Sequence, residues 1–430
     1  MNLKIASKKI AWSTIIQYFG KITQLLIAIF ITKMLTNFLP IDIYGKYAWI
    51  VEYCLFFAVA ANLGLFANSI RFICDSPCDG RIFINALILR IITASVFFIV
   101  ALVISPFISN NYFFIIACTI FVISLLFDFI TMICDAFLQA NYMMGRATLA
   151  LISGKILHLI LVFFTIKYYS SNPSTSTIPL FLVFPLAGSI VTAWISLIFV
   201  SQNVVLKIKF DINLCIHILK TGLPFGIINV LNYLYFRFIP IALAEYFLVD
   251  SQFSSFDVSF RIAFVLSLFS TFFMFSVMPV FKQSLTGKDW TFSFKLFKLA
   301  ALILIGASLI LICIGTWLGP LIIEILTTKN FILPDFWFVF PLFLLLAAIS
   351  YFYDLILITL FSIEYDLWLL KREIIALISA CILFGLTFII GNFQIKIFIV
   401  ILGAITGEVV IVTLGIIKIL SFFREKLVIN

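Results

Sequence analysis

Polar and ionisable residues recur at helical spacing within long apolar runs of this sequence. Gln17, Lys21 and Gln24 follow one another at intervals of three and four residues, which places them on one face of a helix. Lys155 and His158 stand three residues apart in another apolar run. One charge at the centre of a bilayer costs roughly 2.5 kcal/mol or more. These faces are therefore expected to meet protein or water rather than lipid tails.

Cationic residues of the first half of the chain are expected at similar depths in the membrane. At a rise of about 1.5 Å per residue, Lys21, Arg90 and Lys155 lie roughly 12–15 Å from one membrane boundary. Asp128 and His158 lie roughly 18–20 Å from the same boundary, on consecutive antiparallel segments. The sequence thus predicts a cationic group inside the first half.

The acidic residues beside these cations have two interpretations. Asp128 and Asp135 lie on one helix face and would neutralise part of the cationic group. Alternatively, Asp128 forms a purely structural pair with Lys155 or His158. In the second half, Asn229, Tyr233 and Arg237 are spaced by four residues and also share a helix face.

The elements that position these residues are membrane-spanning helices. The chain has 430 residues, of which 64% are hydrophobic and only 11% are charged, and its mean hydropathy is +1.24. Soluble domains contain more charge, and a β-barrel would show short alternating segments. We predict an all-α polytopic membrane protein with twelve spans. The predicted spans are 11–35, 45–70, 82–107, 112–138, 147–168, 178–202, 221–246, 254–281, 297–326, 336–362, 368–390 and 396–420.

The distribution of Lys and Arg predicts the orientation. Most of these residues outside the spans fall on the side of the N-terminus, so both termini are expected in the cytosol. The net charge of +9 then reflects topology and contact with anionic lipid, and no nucleic acid is needed as a partner. The loops are short on both sides, so function is expected within the membrane or at its two faces.

An internal repeat divides the chain into two lobes. Residues 124–157 match residues 350–383 at ten of 34 positions without a gap, including Asp128 with Asp354 and Arg146 with Arg372. Both halves then enter from the cytosol, as a parallel repeat typical of transporters. We predict a six-helix lobe at 1–203, a basic cytosolic link at 204–220 and a second six-helix lobe at 221–430.

Short motifs resemble the polysaccharide transporter family. "KMLTNFLPIDIYGKYAWI" (33–50) and "ANLGLFANSIR" (61–71) are similar to the first two spans of that family, and "TGLPFG" (221–226) is similar to the opening of its seventh span. Leu39-Pro40 replaces the usual Leu-Gly, and Arg237 stands where relatives often have an Asp-containing segment.

The resemblance implies a fold and a function. The family belongs to the multidrug, oligosaccharidyl-lipid and polysaccharide flippase superfamily, whose MATE-like members have two six-helix lobes around a central cavity. It implies a flippase that moves undecaprenyl-diphosphate-linked O-antigen units from the cytosolic to the periplasmic leaflet of the bacterial inner membrane. A polysaccharide polymerase and a chain-length regulator are the protein partners that this pathway implies.

The candidate residues agree with such a substrate. A diphosphate carries negative charge that cations can compensate, and polar groups can contact sugar hydroxyls. The predicted substrate-binding residues are Lys21, Gln17, Gln24, Arg90, Lys155, Asn229, Tyr233 and Arg237. Proton uptake during turnover would make transport depend on the proton gradient. The candidates for coupling or charge pairing are Asp128, Asp135, His158 and Glu408.

Two other functions stay open. A cation-coupled multidrug exporter of the same superfamily would have this layout, but such proteins typically carry an acidic residue in the first span, where this chain has Lys21. A membrane-embedded O-antigen polymerase would need a catalytic loop, and the outer loops are short. We predict no catalytic residues, no metal site and no cofactor.

Overall fold

The computed structural model describes residues 3–75, 80–141, 143–169, 172–203, 210–287, 289–332, 337–363 and 366–428. Within these ranges the regular structure is helical throughout. Contacts along the chain divide it into two units, Met1–Asn229 and Val230–Asn430.

The first unit consists of long apolar helices in which α1 packs on α6, α4 on α5, and α7 on both α5 and α6. Pro40 separates the first two helices, because the residue before a proline is disfavoured in helical conformation. The Asn111 side chain caps α5 by accepting a hydrogen bond from the Phe113 N–H at 3.0 Å. The helices are α1 Leu3–Phe38, α2 Ile41–Asn62, α3 Leu65–Asp75, α4 Gly80–Ile108, α5 Tyr112–Ala140, α6 Met144–Tyr168, α7 Ile178–Ser201 and α8 Ile212–Tyr233, whose last residues belong to the second unit.

The second unit begins with the last residues of α8, followed by an irregular turn. It continues with the short helix α9 and five long helices. Its main packings are α10 on α12, α11 on α12, α12 on α14 and α13 on α14. Asp289 caps α11, and the Phe292 N–H and the Thr291 hydroxyl hold the pKa of this exposed carboxyl below its usual value. The elements are a π-helical turn Leu234–Phe238, α9 Ile239–Phe247, α10 Asp250–Thr286, α11 Trp290–Leu326, α12 Val339–Ser362, α13 Asp366–Leu386 and α14 Phe393–Val428.

The predicted all-α polytopic class is confirmed. Within the described ranges, eleven helical segments are long and apolar enough to cross a membrane. The remaining predicted span, 368–390, corresponds to α13, which has 21 residues but carries charged residues in its first turns. These residues are Asp366, Lys371, Arg372 and Glu373.

The second predicted span, 45–70, is not one helix. The chain turns at Leu63 and Gly64, whose φ angles are 44° and 69°, so α2 ends at Asn62 and α3 begins at Leu65. This left-handed conformation ends a helix and is strained for a residue with a Cβ. The apolar composition of 45–70 hid the break, because both short helices are as hydrophobic as a continuous one.

Close packing against α8 holds this break in place. A Cβ on Gly64 would clash with the Gly222 carbonyl oxygen, and a Cβ on Gly226 would clash with the backbone of Leu63. The Asn68 amide donates to the Ile218 carbonyl at 2.6 Å. The glycines of "TGLPFG" therefore let the α2–α3 break approach α8 at backbone distance.

The seventh predicted span, 221–246, also differs from the structure. α8 starts at Ile212, so residues 212–220 of the predicted link are helical, whereas 204–209 lie outside the described residues. Between α8 and α9 the chain forms the π-helical turn, in which the Ile239 N–H bonds to the Leu234 carbonyl five residues back. Pro240 lacks an N–H, so regular helical bonding is interrupted at this point.

We expect Gly64→Ala to lower the stability of the protein. An L-residue in the left-handed region costs roughly 1–2 kcal/mol, and the added methyl meets the Gly222 carbonyl. The midpoint of thermal unfolding in detergent measures the effect. Gly306→Ala on α11 is the matched control, because its Cβ would enter open space. Equal midpoints for Gly64→Ala and the unmodified protein would contradict this account of the break.

Candidate functional site

Two lysines of the first unit are exposed on neighbouring spanning helices. α1 and α6 approach closely at Gly20, where an added Cβ would clash with the Thr148 side chain. Lys21 follows Gly20 directly, and Lys155 lies two helical turns beyond Thr148, on the same face of α6. Both lysines are exposed. Lys155 thus lies on the face of α6 that contacts α1, and Lys21 is adjacent in sequence to the contact residue of α1.

Of the two glutamines near Lys21, Gln24 has a described side chain. Gln24 is half-buried, one helical turn beyond Lys21. The side chain of Gln17 lies outside the described residues.

Asp128 is exposed on α5 and lies within electrostatic range of Lys155. In the described part of the chain no ion pair within 4.0 Å joins them. The interaction between Asp128 and Lys155 is therefore looser than a salt bridge. Lys155 keeps its ammonium group available, with a carboxylate nearby that balances part of its charge.

His158 and Asp135 lie away from this exposed surface. His158 is buried where α6 meets α7, and a Cβ on Gly188 would lie 3.4 Å from the His158 Cβ. Asp135 is half-buried on α5. Within the described residues, His158 Nε2 and Asp135 Oδ1 have no hydrogen-bond partner. The structure brings Lys21, Lys155 and Asp128 to the exposed surface of the first unit and leaves His158 out of it.

Arg90 also lies outside this surface, because its guanidinium is fully buried. Nη1 donates to the Asn62 carbonyl and to Asn62 Oδ1, both at 2.8 Å, and more weakly to the Ala61 carbonyl at 3.4 Å. The guanidinium carbon lies 3.9 Å from the centre of the Phe129 ring. Arg90 therefore binds the carbonyls at the end of α2, where the helix breaks.

Arg237 lies in the π-helical turn, half-buried among aromatic rings. Its guanidinium carbon is 4.9 Å from the centre of the Phe264 ring, 5.4 Å from Phe260 and 5.8 Å from Tyr233. Asn229 is half-buried on α8. Arg237 and Tyr233 are in contact as their spacing predicted, although the turn between them is π-helical.

Glu408 on α14 belongs to a buried polar cluster of the second unit, which also contains Glu373, Arg372, Tyr235 and Asn232. The Tyr235 hydroxyl lies 3.3 Å from Glu408 Oε1 and 3.4 Å from Glu373 Oε2. Asn232 Nδ2 lies 2.6 Å from that hydroxyl and 3.3 Å from Glu408 Oε1. Arg372 Nη2 lies 3.4 Å from Glu373 Oε1.

Sequence reasoning missed Glu373, Arg372 and Tyr235. Arg372 lies near the start of the predicted span 368–390, and its side chain is buried. A signal was present, because Glu373 continues the apolar stripe of Ala376, Ala380 and Phe384, all of which are buried. A carboxylate on the buried stripe of a helix indicates a polar partner inside the bundle.

Asp354, the repeat counterpart of Asp128, has close partners. Its Oδ2 accepts hydrogen bonds from the Ser270 hydroxyl at 2.6 Å and the Thr271 hydroxyl at 2.7 Å. Asp128 is exposed, whereas Asp354 is half-buried between α12 and α10. Matching positions in the two halves thus have different environments.

The helical framework defines a polytopic membrane protein with the fold of the transporters of the MOP superfamily. A family model of polysaccharide biosynthesis proteins matches residues 6–285, so the chain belongs to the polysaccharide biosynthesis protein family. The predicted resemblance is confirmed at this level. No curated protein sequence matched the chain.

Solved structures of low sequence identity share the fold. An inward-facing multidrug resistance MATE family transporter is 12% identical, with a TM-score of 0.69, over 96% of this chain and 99% of the other. An outward-facing one is 14% identical, with a TM-score of 0.70, over 97% and 96%. A MOP superfamily transporter from Pyrococcus furiosus, described as having a binding pocket of reverse polarity, is 14% identical, with a TM-score of 0.69, over 97% and 96%.

We expect Arg90→Gln to destabilise the protein, because it removes a buried charged donor from two carbonyls and one amide oxygen. Loss of hydrogen bonds to a charged group costs about 1.5–3 kcal/mol. Lys155→Gln removes an exposed cation from the same unit and is expected to leave stability unchanged. Thermal unfolding in detergent compares the two variants. A loss of stability in Lys155→Gln as large as in Arg90→Gln would contradict the distinction between them.

Proposed function

We propose that this protein is a flippase for undecaprenyl-diphosphate-linked O-antigen units. It moves them from the cytosolic to the periplasmic leaflet of a bacterial inner membrane by alternating access, with both termini in the cytosol. The observation that carries the proposal is the pair of exposed lysines on spanning helices in a chain of the polysaccharide biosynthesis protein family. A polysaccharide polymerase and a chain-length regulator act with it in this proposal.

A diphosphate brings negative charge to a site of low dielectric, and the two lysines can balance that charge. Lys21 and Lys155 carry compact charges on flexible stems, so they can follow the headgroup as it moves. Gln24 adds a neutral donor next to Lys21. Without substrate, Asp128 balances part of the charge of Lys155. With substrate, the diphosphate becomes the stronger partner, because it brings more negative charge and more acceptor oxygens than one carboxylate.

The polar groups at the end of α8 are proposed to contact the glycan. Asn229 offers an amide and Tyr233 a hydroxyl, both able to donate and accept hydrogen bonds from sugar hydroxyls. Arg237 has five donors, and its aromatic neighbours hold the guanidinium in place without neutralising it.

A cation-coupled multidrug exporter is the competing function. The structural similarity to MATE transporters supports the fold that the two functions share. The first spanning helix distinguishes them, because Lys21 would repel the cationic drugs that an acidic residue attracts. An anionic cargo therefore accounts for the charge of α1 better than a cationic cargo does.

We expect Lys21→Gln and Lys155→Gln each to slow flipping roughly ten- to hundredfold, because a charge-assisted hydrogen bond contributes about 1.5–3 kcal/mol and about 1.4 kcal/mol corresponds to a factor of ten. Lys155→Glu should abolish flipping, since it places repulsive charge beside the diphosphate. The assay measures the movement of a fluorescent undecaprenyl-diphosphate oligosaccharide between leaflets of proteoliposomes.

Lys167→Gln is the matched control, because Lys167 is exposed in the last turn of the same helix as Lys155. It should flip at the normal rate. Normal flipping by both Lys21→Gln and Lys155→Gln would refute the assignment of these lysines. Failure of the unmodified protein to flip the lipid, together with export of a cationic drug, would favour the exporter instead.

A further inference from the structure

The cluster around Glu408 is the most deeply buried group of ionisable side chains described in the second unit. The exposed fractions of Glu373, Glu408 and Arg372 are 0%, 1% and 1%. Apolar residues surround it, among them Ala376, Ala380, Phe384 and Ile411. A net charge at such a place is costly, so the cluster is expected to be neutral in its resting state.

The charges of the cluster do not cancel when both carboxyl groups are ionised. Two carboxylates and the single guanidinium of Arg372 leave one negative charge. The titratable or charged groups that face Glu408 are Glu373 and Arg372 from α13, Tyr235 from the π-helical turn and Tyr353 from α12. Both tyrosines are neutral donors at physiological pH. One added proton therefore makes the cluster neutral.

The described hydrogen-bond donors also leave one oxygen of Glu408 without a partner. The Tyr235 hydroxyl lies within reach of both Glu373 and Glu408 but has one hydrogen to donate at a time. In the described part of the chain, Glu408 Oε2 has no hydrogen-bond partner. A proton on the carboxyl pair would remove this deficit, because a carboxylic acid needs fewer donors than a carboxylate.

Backbone geometry brings the shared hydroxyl to this position. The π-helical turn contains Tyr235, and its ring packs against Gly407, where a Cβ would lie 2.5 Å from Tyr235 Cδ2. Gly407 immediately precedes Glu408, so the missing side chain lets the tyrosine reach the carboxyl group. π-helical turns occur frequently at functional sites.

We propose that Glu373 and Glu408 form a proton-binding site and hold one exchangeable proton between them beside Arg372. A metal cation fits less well, because hard cations take six or more oxygen ligands and the guanidinium of Arg372 repels them. No group of three or more His, Cys, Asp or Glu residues able to hold a metal occurs among the described residues. The binding of this proton rests on the second unit alone. Only its use in transport rests on the proposed flippase function.

Infrared difference spectra of the full-length protein in proteoliposomes test the site. Spectra taken at acid and alkaline pH reveal protonated carboxyl groups by their C=O stretch. We expect a buried carboxylic acid band that is lost in Glu408→Gln and equally lost in Glu373→Gln. Either substitution leaves one carboxylate, which Arg372 balances without a proton. Glu425→Gln, on the exposed end of the same helix as Glu408, should keep the band.

The two glutamine variants keep the test decisive if one of them fails to fold, since each reports on the same band. Persistence of every carboxylic acid band in both variants would refute the site, and so would loss in Glu408→Gln alone, which would assign the proton to one residue. Loss of the band on adding NaCl at constant pH would show that the site binds a metal cation instead of a proton. Flipping by Glu408→Gln that still follows the proton gradient would separate this proton from transport while leaving the flippase function intact.

Discussion

Inside a membrane, a polar group that loses its helical partner must find another within the protein, and Arg90 meets this requirement for the first unit. The turn at Leu63 and Gly64 ends α2 inside an apolar segment and frees carbonyl groups there. The Arg90 guanidinium binds two of these carbonyls and stacks on Phe129. Because this arrangement satisfies the break, α3 can leave the direction of α2 and pack against α8.

Ionisable groups in the spanning helices serve two different physical purposes. Arg90 and the cluster of Glu373, Glu408 and Arg372 are buried and have partners from their own unit. Lys21 and Lys155 are exposed instead. A buried charge with partners constrains the fold, whereas an exposed cation in a spanning helix can be reached by an anionic ligand. The exposed group therefore carries the proposal for an anionic substrate, and the buried group carries the proposal for a proton.

The sequence predicted the helical class and most helix positions, because runs of about twenty apolar residues are determined by the thickness of the bilayer. It did not predict the break after Asn62 or the π-helical turn before Pro240, since local bonding changes there while composition does not. It could not show that Arg90 points into the bundle, because that depends on which neighbour supplies the freed carbonyls.

Asp128 and Asp354 show how matching positions in the two halves differ in their environments. The two residues occupy matching positions in the predicted repeat, but only Asp354 lies beside hydroxyl donors, Ser270 and Thr271. The residues that follow in the repeat diverge as well, since Lys155 and His158 correspond to Cys381 and Phe384. In the second unit Glu373 and Glu408 are buried beside hydroxyl and guanidinium groups, whereas Asp128 and Lys155 of the first unit are exposed. A flippase that binds an anionic headgroup and a proton would use this asymmetry, because the two ligands have opposite charge and need separate sites.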